Sequence, residues 1–444
     1  METIVVYSVR QSNRLKFVLD WLLKERLHLS YRVTSNKEEV EGLPFFIAYG
    51  AHLPGSVSVP DMGLLWENGV QNCAVTTGEW KETPTLFSVA DESIYTLPFD
   101  IFSGIFFLLS RHEEYEVYSP DKHGRYPAVN SILYKNGWLQ RPIADEWITE
   151  FRKELELASG NHIPSTHFAF QPTYDIDMAY SHLHKGLARI AGAYIRAIMK
   201  MDVGQINERT QVLKNKQKDP YDSFRWLRLL HKEYDSKPLY FILAAFKTTS
   251  FDKNIHPGHP AMLRVIKNIA RDGVIGIHPS YYSDEHDMAG KEKKMLEHVA
   301  GNKISISRQH YIRVRTPSTF RLLLENGITD DYSMGYGSHL GFRAGTGNPF
   351  YWYDLEQEKI TTLRIHPFCF MDTTAHFEAR LSASEAMEQL EAMSRILEKT
   401  GSTLVTIFHN FSLGTASEWK GWRNAYEHFV GETSKKHALQ TMNS

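Results

Sequence analysis

Two cysteines, Cys73 and Cys369, are all that the 444 residues contain, and neither has a second cysteine nearby. Their scarcity excludes zinc ribbons and disulfide scaffolds and leaves the redox compartment open. Uninterrupted apolar runs of about 18 residues are also missing, so no membrane span is expected. The opening METIVVYSVRQSNRL offers only a short apolar patch, too short for a signal-peptide core. A cytoplasmic chain with no membrane partner is the expectation. An excess of one charge is lacking too: 50 Lys+Arg face 52 Asp+Glu, for a formal net charge of -2. Such a balance provides no global field to attract a polyanion, so nucleic acid is not an expected partner. Fixed-period repeats and low-complexity segments are absent as well.

What is present is a long pattern of alternating elements. At roughly 150 residues per domain the length suggests two domains. In the first, TIVVYSV and FFIAYG read as strands and SNRLKFVLDWLLKERL as an amphipathic helix between them. FDIFSGIFFLLSRHEEYEV reads as a second helix with its apolar half buried, and SPDKHGRYPAVNS as a turn-rich connection. From about residue 165 the pattern becomes strand, turn, helix. Strands are expected in HFAFQPTYDID, PLYFILAA, VIGIHPS, ISISRQHYIRV, the ITDDYSMGY region, TTLRIHPF and STLVTIFHN. Helices are expected in SFRWLRLLHKEY, PAMLRVIKNIARDG and SASEAMEQLEAMSRILEKT. Alternation of this kind implies parallel strands with right-handed crossovers. The fold class is therefore α/β: residues 1–160 form a smaller mixed α/β domain with its connecting segment, and residues 161–444 a (β/α) barrel of about seven parallel strands.

In such barrels the C-terminal ends of the strands carry the site. Several of the expected strands end in residues able to do chemistry: Asp175 and Asp177 in TYDID, His278 in GIHPS, Arg308 and His310 in SRQHY, Asp330 and Asp331 in ITDD, and His409 in TIFHN. Asp175 and Asp177 lie two apart on a strand and so point to one face. Alone, such a pair serves equally well as a cap on the following helix. Asp330 and Asp331 suit a turn as well as a substrate contact, and Arg343 lies in the glycine-rich GFRAGTGNPF, which does not match a nucleotide-binding fingerprint.

Taken in order, TYDID, the histidine of VIGIHPS, the arginine of SRQHY and the histidine of TIFHN resemble the polysaccharide deacetylases of the NodB-homology, carbohydrate esterase family 4 type. The resemblance covers about residues 165 to 430. Segments such as RPIADEW, IGIHPSYY, RQHYIR and GFRAGT resemble a Bacteroidetes-type branch that carries an additional N-terminal domain of unknown function. The resemblance implies a distorted barrel that removes acetyl groups from carbohydrate with a divalent metal, zinc or alternatively cobalt or nickel. It implies Asp175 as general base, Asp177 and His278 as metal ligands, Arg308 as the residue holding the base, and His409 as general acid.

One departure stands out. The family's second motif has two histidines four apart, and here the residue four after His278 is Tyr282. His310 is the first choice for the missing ligand, ahead of His286 and the hydroxyls of Tyr282 and Ser280. Arg343, Tyr282 and Asp331 are the candidates for contacting substrate. A barrel that binds glycan without turnover, and an amidohydrolase acting on something other than a sugar, are the competing readings.

Overall fold

The computed structural model describes residues 3–90, 94–283 and 288–442, with side chains as far as Lys435. The chain opens with a parallel four-stranded sheet of β1 (Ile4–Ser8), β2 (Tyr31–Thr34), β3 (Phe46–Tyr49) and β4 (Ser56–Val59), in the order β2-β1-β3-β4. The helix between β1 and β2 starts at Asn13 because the Ser12 hydroxyl accepts from the Leu15 amide at 3.0 Å, satisfying one of the free N–H groups of the first turn. It runs on to Arg26 in wider π-helical turns. A short antiparallel hairpin, β5 (Thr77–Trp80) and β6 (Thr83–Leu86), follows.

The helix Ile101–Ser110, IFSGIFFLLS, is apolar on every side, and a helix of that kind has to be enclosed. All ten of its residues are buried. Asp100 caps it, accepting from the Ser103 amide at 2.9 Å. Its Phe106 packs edge-on against Tyr353, with ring centroids 5.1 Å apart, and meets Phe17 on the other side at 6.1 Å. One hydrophobic core consequently runs without interruption from the first sheet into the second.

The second sheet comprises β7 (Ala169–Ile176), β8 (Leu239–Leu243), β9 (Val274–His278), β10 (Ile306–Ser307), β11 (Asp330–Met334), β12 (Phe350–Asp354), β13 (Lys359–Pro367), β14 (Phe370–Met371) and β15 (Thr403–His409). Its order is β12-β13-β11-β10-β9-β8-β7-β15-β14. Every pairing is parallel except that of β12 with β13. The expectation was about seven parallel strands; the sheet has nine, one of them antiparallel. Only Phe368 and Cys369 separate β13 from β14, yet β13 lies beside β11 and β14 beside β15. This single segment therefore spans both ends of the strand order as the sheet curls.

Alternate residues of β8 and β15, among them Phe241, Val405 and Ile407, join Tyr332, Phe368, Ile312 and Met371 in a second apolar cluster. Ile312 and Met371 also line the cavity described next, which rests on this cluster. The expected strand ISISRQHYIRV shrinks to Ile306–Ser307, because the chain turns at Gln309 and Tyr311 takes a left-handed φ of 60°. That turn frees Arg308 and His310 from the pleat and lets them point independently.

Candidate metal centre and active site

A cavity of about 320 Å³ opens at the C-terminal ends of the parallel strands. Asp175, Asp177, His278, His310 and His409 all line it. β7 delivers Asp175 and, one residue past its end, Asp177; β9 ends on His278, the turn after β10 delivers His310, and β15 ends on His409.

Asp177 sits at the centre. Its Oδ1 lies 3.1 Å from His278 Nε2, and its Oδ2 lies 3.4 Å from His310 Nε2 and 3.5 Å from His409 Nε2. Each histidine is oriented from behind. His278 Nδ1 donates to the Arg308 carbonyl at 2.6 Å, His310 Nδ1 to Asp252 Oδ1 at 3.1 Å, and His409 Nδ1 to Asp372 Oδ1 at 2.7 Å. A proton engaged at Nδ1 leaves Nε2 facing Asp177, which is how imidazoles are oriented to hold a metal.

The fit to a cation can be judged from the atoms. Ligand atoms of Asp177, His278 and His310 lie within 4.8 Å of one another, and Asp177 Oδ1 is buried with no hydrogen-bond partner. Neighbouring ligands of a tetrahedral ion with ~2.0–2.1 Å bonds are about 3.3 Å apart, close to the 3.1 and 3.4 Å found between Asp177 and the two imidazoles. One carboxylate and two imidazoles suit zinc and its neighbours cobalt and nickel. The residues present fit the group.

Asp175 is held differently. Its Oδ1 accepts from Arg308 NH1 at 2.8 Å, and its Oδ2 stands 3.8 Å from His278 Nε2. Arg308 is fully buried; it also donates to the Tyr332 carbonyl at 2.9 Å and to Thr173 Oγ1 at 2.7 Å, with its guanidinium 4.3 Å over the Phe241 ring. With so many fixed contacts, the arginine locates Asp175 rigidly.

The electrostatics follow from these contacts. Burial alone would raise the Asp177 carboxyl, but the imidazoles of His310 and then His278 and His409 around it hold it well below the ordinary carboxylate range. Burial would likewise lower His409, and Asp372 first, then Asp177 and Asp175, push it up to about 9. His310 is raised to about 9 by Asp177 and Asp252 against the same burial.

The cavity wall includes Lys122, His123 and Arg125, from the segment read in sequence as a turn-rich connection. Asp121 fixes Arg125, accepting from its Nε at 2.7 Å, while Arg125 NH1 donates to the Tyr311 carbonyl at 2.7 Å. Arg125 also explains Gly337 opposite: a Cβ there would lie 2.2 Å from its NH1.

Three sequence candidates lie away from the cavity. Arg343 is 1% exposed and bound bidentately by Glu114, at 2.8 and 2.7 Å. It joins Glu114 of the first part of the chain to the second and does not line the cavity. Asp331 is fully buried and accepts from Ser307 and Ser333, which braces the turn carrying Gln309. Tyr282 is 43% exposed, with its ring edge-on to Tyr281 and Phe251, outside the cavity lining. Ser280 spends its amide on Glu292 Oε2 at 2.9 Å, and His286 falls outside the described residues. Sequence reasoning missed Asp252 and Asp372. Asp372 could have been found, since FCFMD has the same apolar-then-acid ending as TYDID; Asp252, in the loop after β8, carries no such signal.

Comparison with known proteins adds the following. Residues 4–159 match a family of unknown function, DUF7033. No curated protein matches the chain. Among solved structures, a protein from Mycobacterium smegmatis assigned as a polysaccharide deacetylase is 16% identical, covering 61% of this chain and 84% of its own at a TM-score of 0.39. A Pseudomonas aeruginosa PAO1 protein given the same assignment is 13% identical, covering 62% and 89% at 0.38. Puue allantoinase is also 13% identical, covering 60% and 84% at 0.38. Membrane crossing has no candidate: no helix among the described residues is long and apolar enough.

Proposed function

We propose that this chain is a metal-dependent hydrolase that removes acetyl groups from carbohydrate, cleaving an N-acetyl amide or an O-acetyl ester. The observation that carries this reading is the placement of Asp175 and His409 on one cavity around Asp177, His278 and His310. Asp177, His278 and His310 would hold the divalent ion. Bound there, it supplies Lewis-acid polarisation of the acetyl carbonyl and acidifies a water.

The remaining chemistry belongs to the side chains. Asp175, located by Arg308, takes a proton from the attacking water as its oxygen bonds to the acetyl carbon. His409, its Nδ1 engaged by Asp372, gives a proton from Nε2 to the departing nitrogen or oxygen as the C–N or C–O bond breaks. Acetic acid, which ionises to acetate, and a free amine or hydroxyl result; Asp175 then gives up its proton and His409 regains one, so the pair is reset with no net proton change. In this reading residues 161–444 form the catalytic barrel, and the 1–160 unit contributes Lys122, His123 and Arg125 to the rim that meets the sugar.

The competing reading, a barrel that binds glycan without turnover, rested on Tyr282 standing where the family has its second histidine. His310 weakens that motive by offering an imidazole from the turn after β10.

Metal content decides between them. Protein purified without chelator should carry about one divalent ion per chain, and His278→Ala and His310→Ala should each lower metal affinity by more than about tenfold, since loss of a direct ligand exceeds the ~10–100-fold of an outer-shell loss. Acetate release from acetylated oligosaccharides should follow occupancy. Absence of metal after added zinc, cobalt or nickel, or full occupancy in His310→Ala, would refute the centre as drawn.

A further inference from the structure

Of two helices between β7 and β8, Leu187–Met199 and Val203–Leu213, the first carries an apolar face that nothing in the described chain covers. The two are pinned together by Tyr194, whose hydroxyl lies 2.9 Å from Thr210 Oγ1. In the first helix Ala197 is the one buried side chain. At about 100° per residue, Leu187, Ala191, Ile195, Ile198 and Met199 fall within an arc of about 120°. Their exposure is large: Leu187 86%, Ile195 59%, Ile198 61% and Met199 78%, continuing into Met201 at 86%. Single exposed apolar residues need no explanation, but a continuous stripe of them marks an interaction surface.

Charge identifies what fits it. Residues 185–218 hold eight Lys or Arg against only Asp202 and Glu208, in a chain whose formal net charge is -2. On the helix, Arg196, Arg189 and Lys200 follow the arc at about 60–100° beyond its Met199 edge and make up the polar side of the same helix. Arg196, Lys200, Lys214 and Lys216 are exposed, with no carboxylate partner among the described residues.

We propose that this face docks on a bilayer surface rich in anionic headgroups, with the helix Leu187–Met199, about 20 Å long, lying in the interface plane. No helix among the described residues is long and apolar enough to cross a membrane, but a helix lying in the interface need not be; the proposal departs here from the expectation of no membrane partner. A second copy meeting through the same face would bring two cationic segments together, whereas an anionic leaflet suits both the apolar arc and the net positive charge of residues 185–218. Lys185 Nζ and Arg189 NH2 donate to the Lys253 carbonyl at 3.4 and 2.9 Å, and Lys253 lines the catalytic cavity. The docked face therefore adjoins the rim of the site.

Vesicle sedimentation of the full chain tests this independently of any hydrolysis. It should bind phosphatidylglycerol–phosphatidylcholine vesicles, weaken as salt rises, and ignore phosphatidylcholine alone. Arg196→Gln/Lys200→Gln should lower apparent affinity about 25-fold, at about fivefold per cation. Ile195→Ser/Ile198→Ser should lower it at least about tenfold through lost apolar burial. All four side chains are exposed, so both variants should unfold at the parent's temperature. No binding to the anionic vesicles, binding unchanged by either variant, or a dimer in light scattering that the isoleucine variant dissolves would each overturn the proposal.

Discussion

Asp175→Asn should lower the rate of acetate release by about 10²–10⁴-fold, the range that one general base contributes, while metal content and unfolding midpoint stay at the parent's values. The amide keeps an oxygen for Arg308 NH1, now 2.8 Å from Asp175 Oδ1, so the local geometry survives. What it loses is the capacity to receive a proton. Asp175 is also outside the group of ligand atoms formed by Asp177, His278 and His310, so metal retention separates its role from theirs. Single-turnover rates and elemental analysis on the same preparation read both quantities. A variant at full rate would remove Asp175 as the base; one that loses its metal would make it a ligand.

Glu114→Ala should cost about 3–5 kcal/mol of stability, the range found when one partner of a buried ion pair is removed. The Glu114 carboxylate accepts from Arg343 at 2.8 and 2.7 Å and from Arg111 at 2.9 Å, and both guanidiniums are 1% exposed. Truncation would leave the buried Arg343 without its carboxylate, while Arg111 keeps Glu113 at 2.8 Å. Burial alone would raise this carboxyl, yet Arg343 first and Arg111 second lower it from an ordinary 4.5 to about 2. Because the folded value lies below the unfolded one, the contribution is complete above about pH 4.5 and is lost as pH falls towards 2. Urea midpoints measured from pH 7 down to 3 should fall steeply for the parent. In Glu114→Gln, which lacks the titrating group, they should fall less. Parallel curves for the two proteins would dismiss this carboxylate as the source of acid sensitivity.

How far the sequence foretold these residues depended on whether a signal was local. Strands β7, β8, β9 and β15 were legible because parallel strands covered on both faces read as short apolar runs, and the polar residue ending each run marked the mouth. The helix Ala383–Thr400 announced itself through Ser382 and Glu385, which form a capping box. Arg343 was misread because a glycine-rich loop looks like a binding loop; its burial comes from Glu114, 229 residues earlier in the chain. β12 was missed because FYWYD is too short and too uniformly aromatic to alternate. The SPDKHGRYP stretch looked like a connection because its reach across the cavity depends on Arg125 meeting the Tyr311 carbonyl, 186 residues away. Such contacts are tertiary facts that composition and periodicity do not encode.

The segment running from β13 through β14 acts as a clasp, and the residue directly beyond it is Asp372, the partner of His409 Nδ1. The three candidate metal ligands come instead from β7, β9 and the turn after β10, in the body of the sheet. Grip on the ion and aim of the proton donor are thus built on separate parts of the molecule. On the proposed reading, loosening the clasp at Phe368 or Cys369 would leave Asp177, His278 and His310 in place and cost His409 its alignment by Asp372.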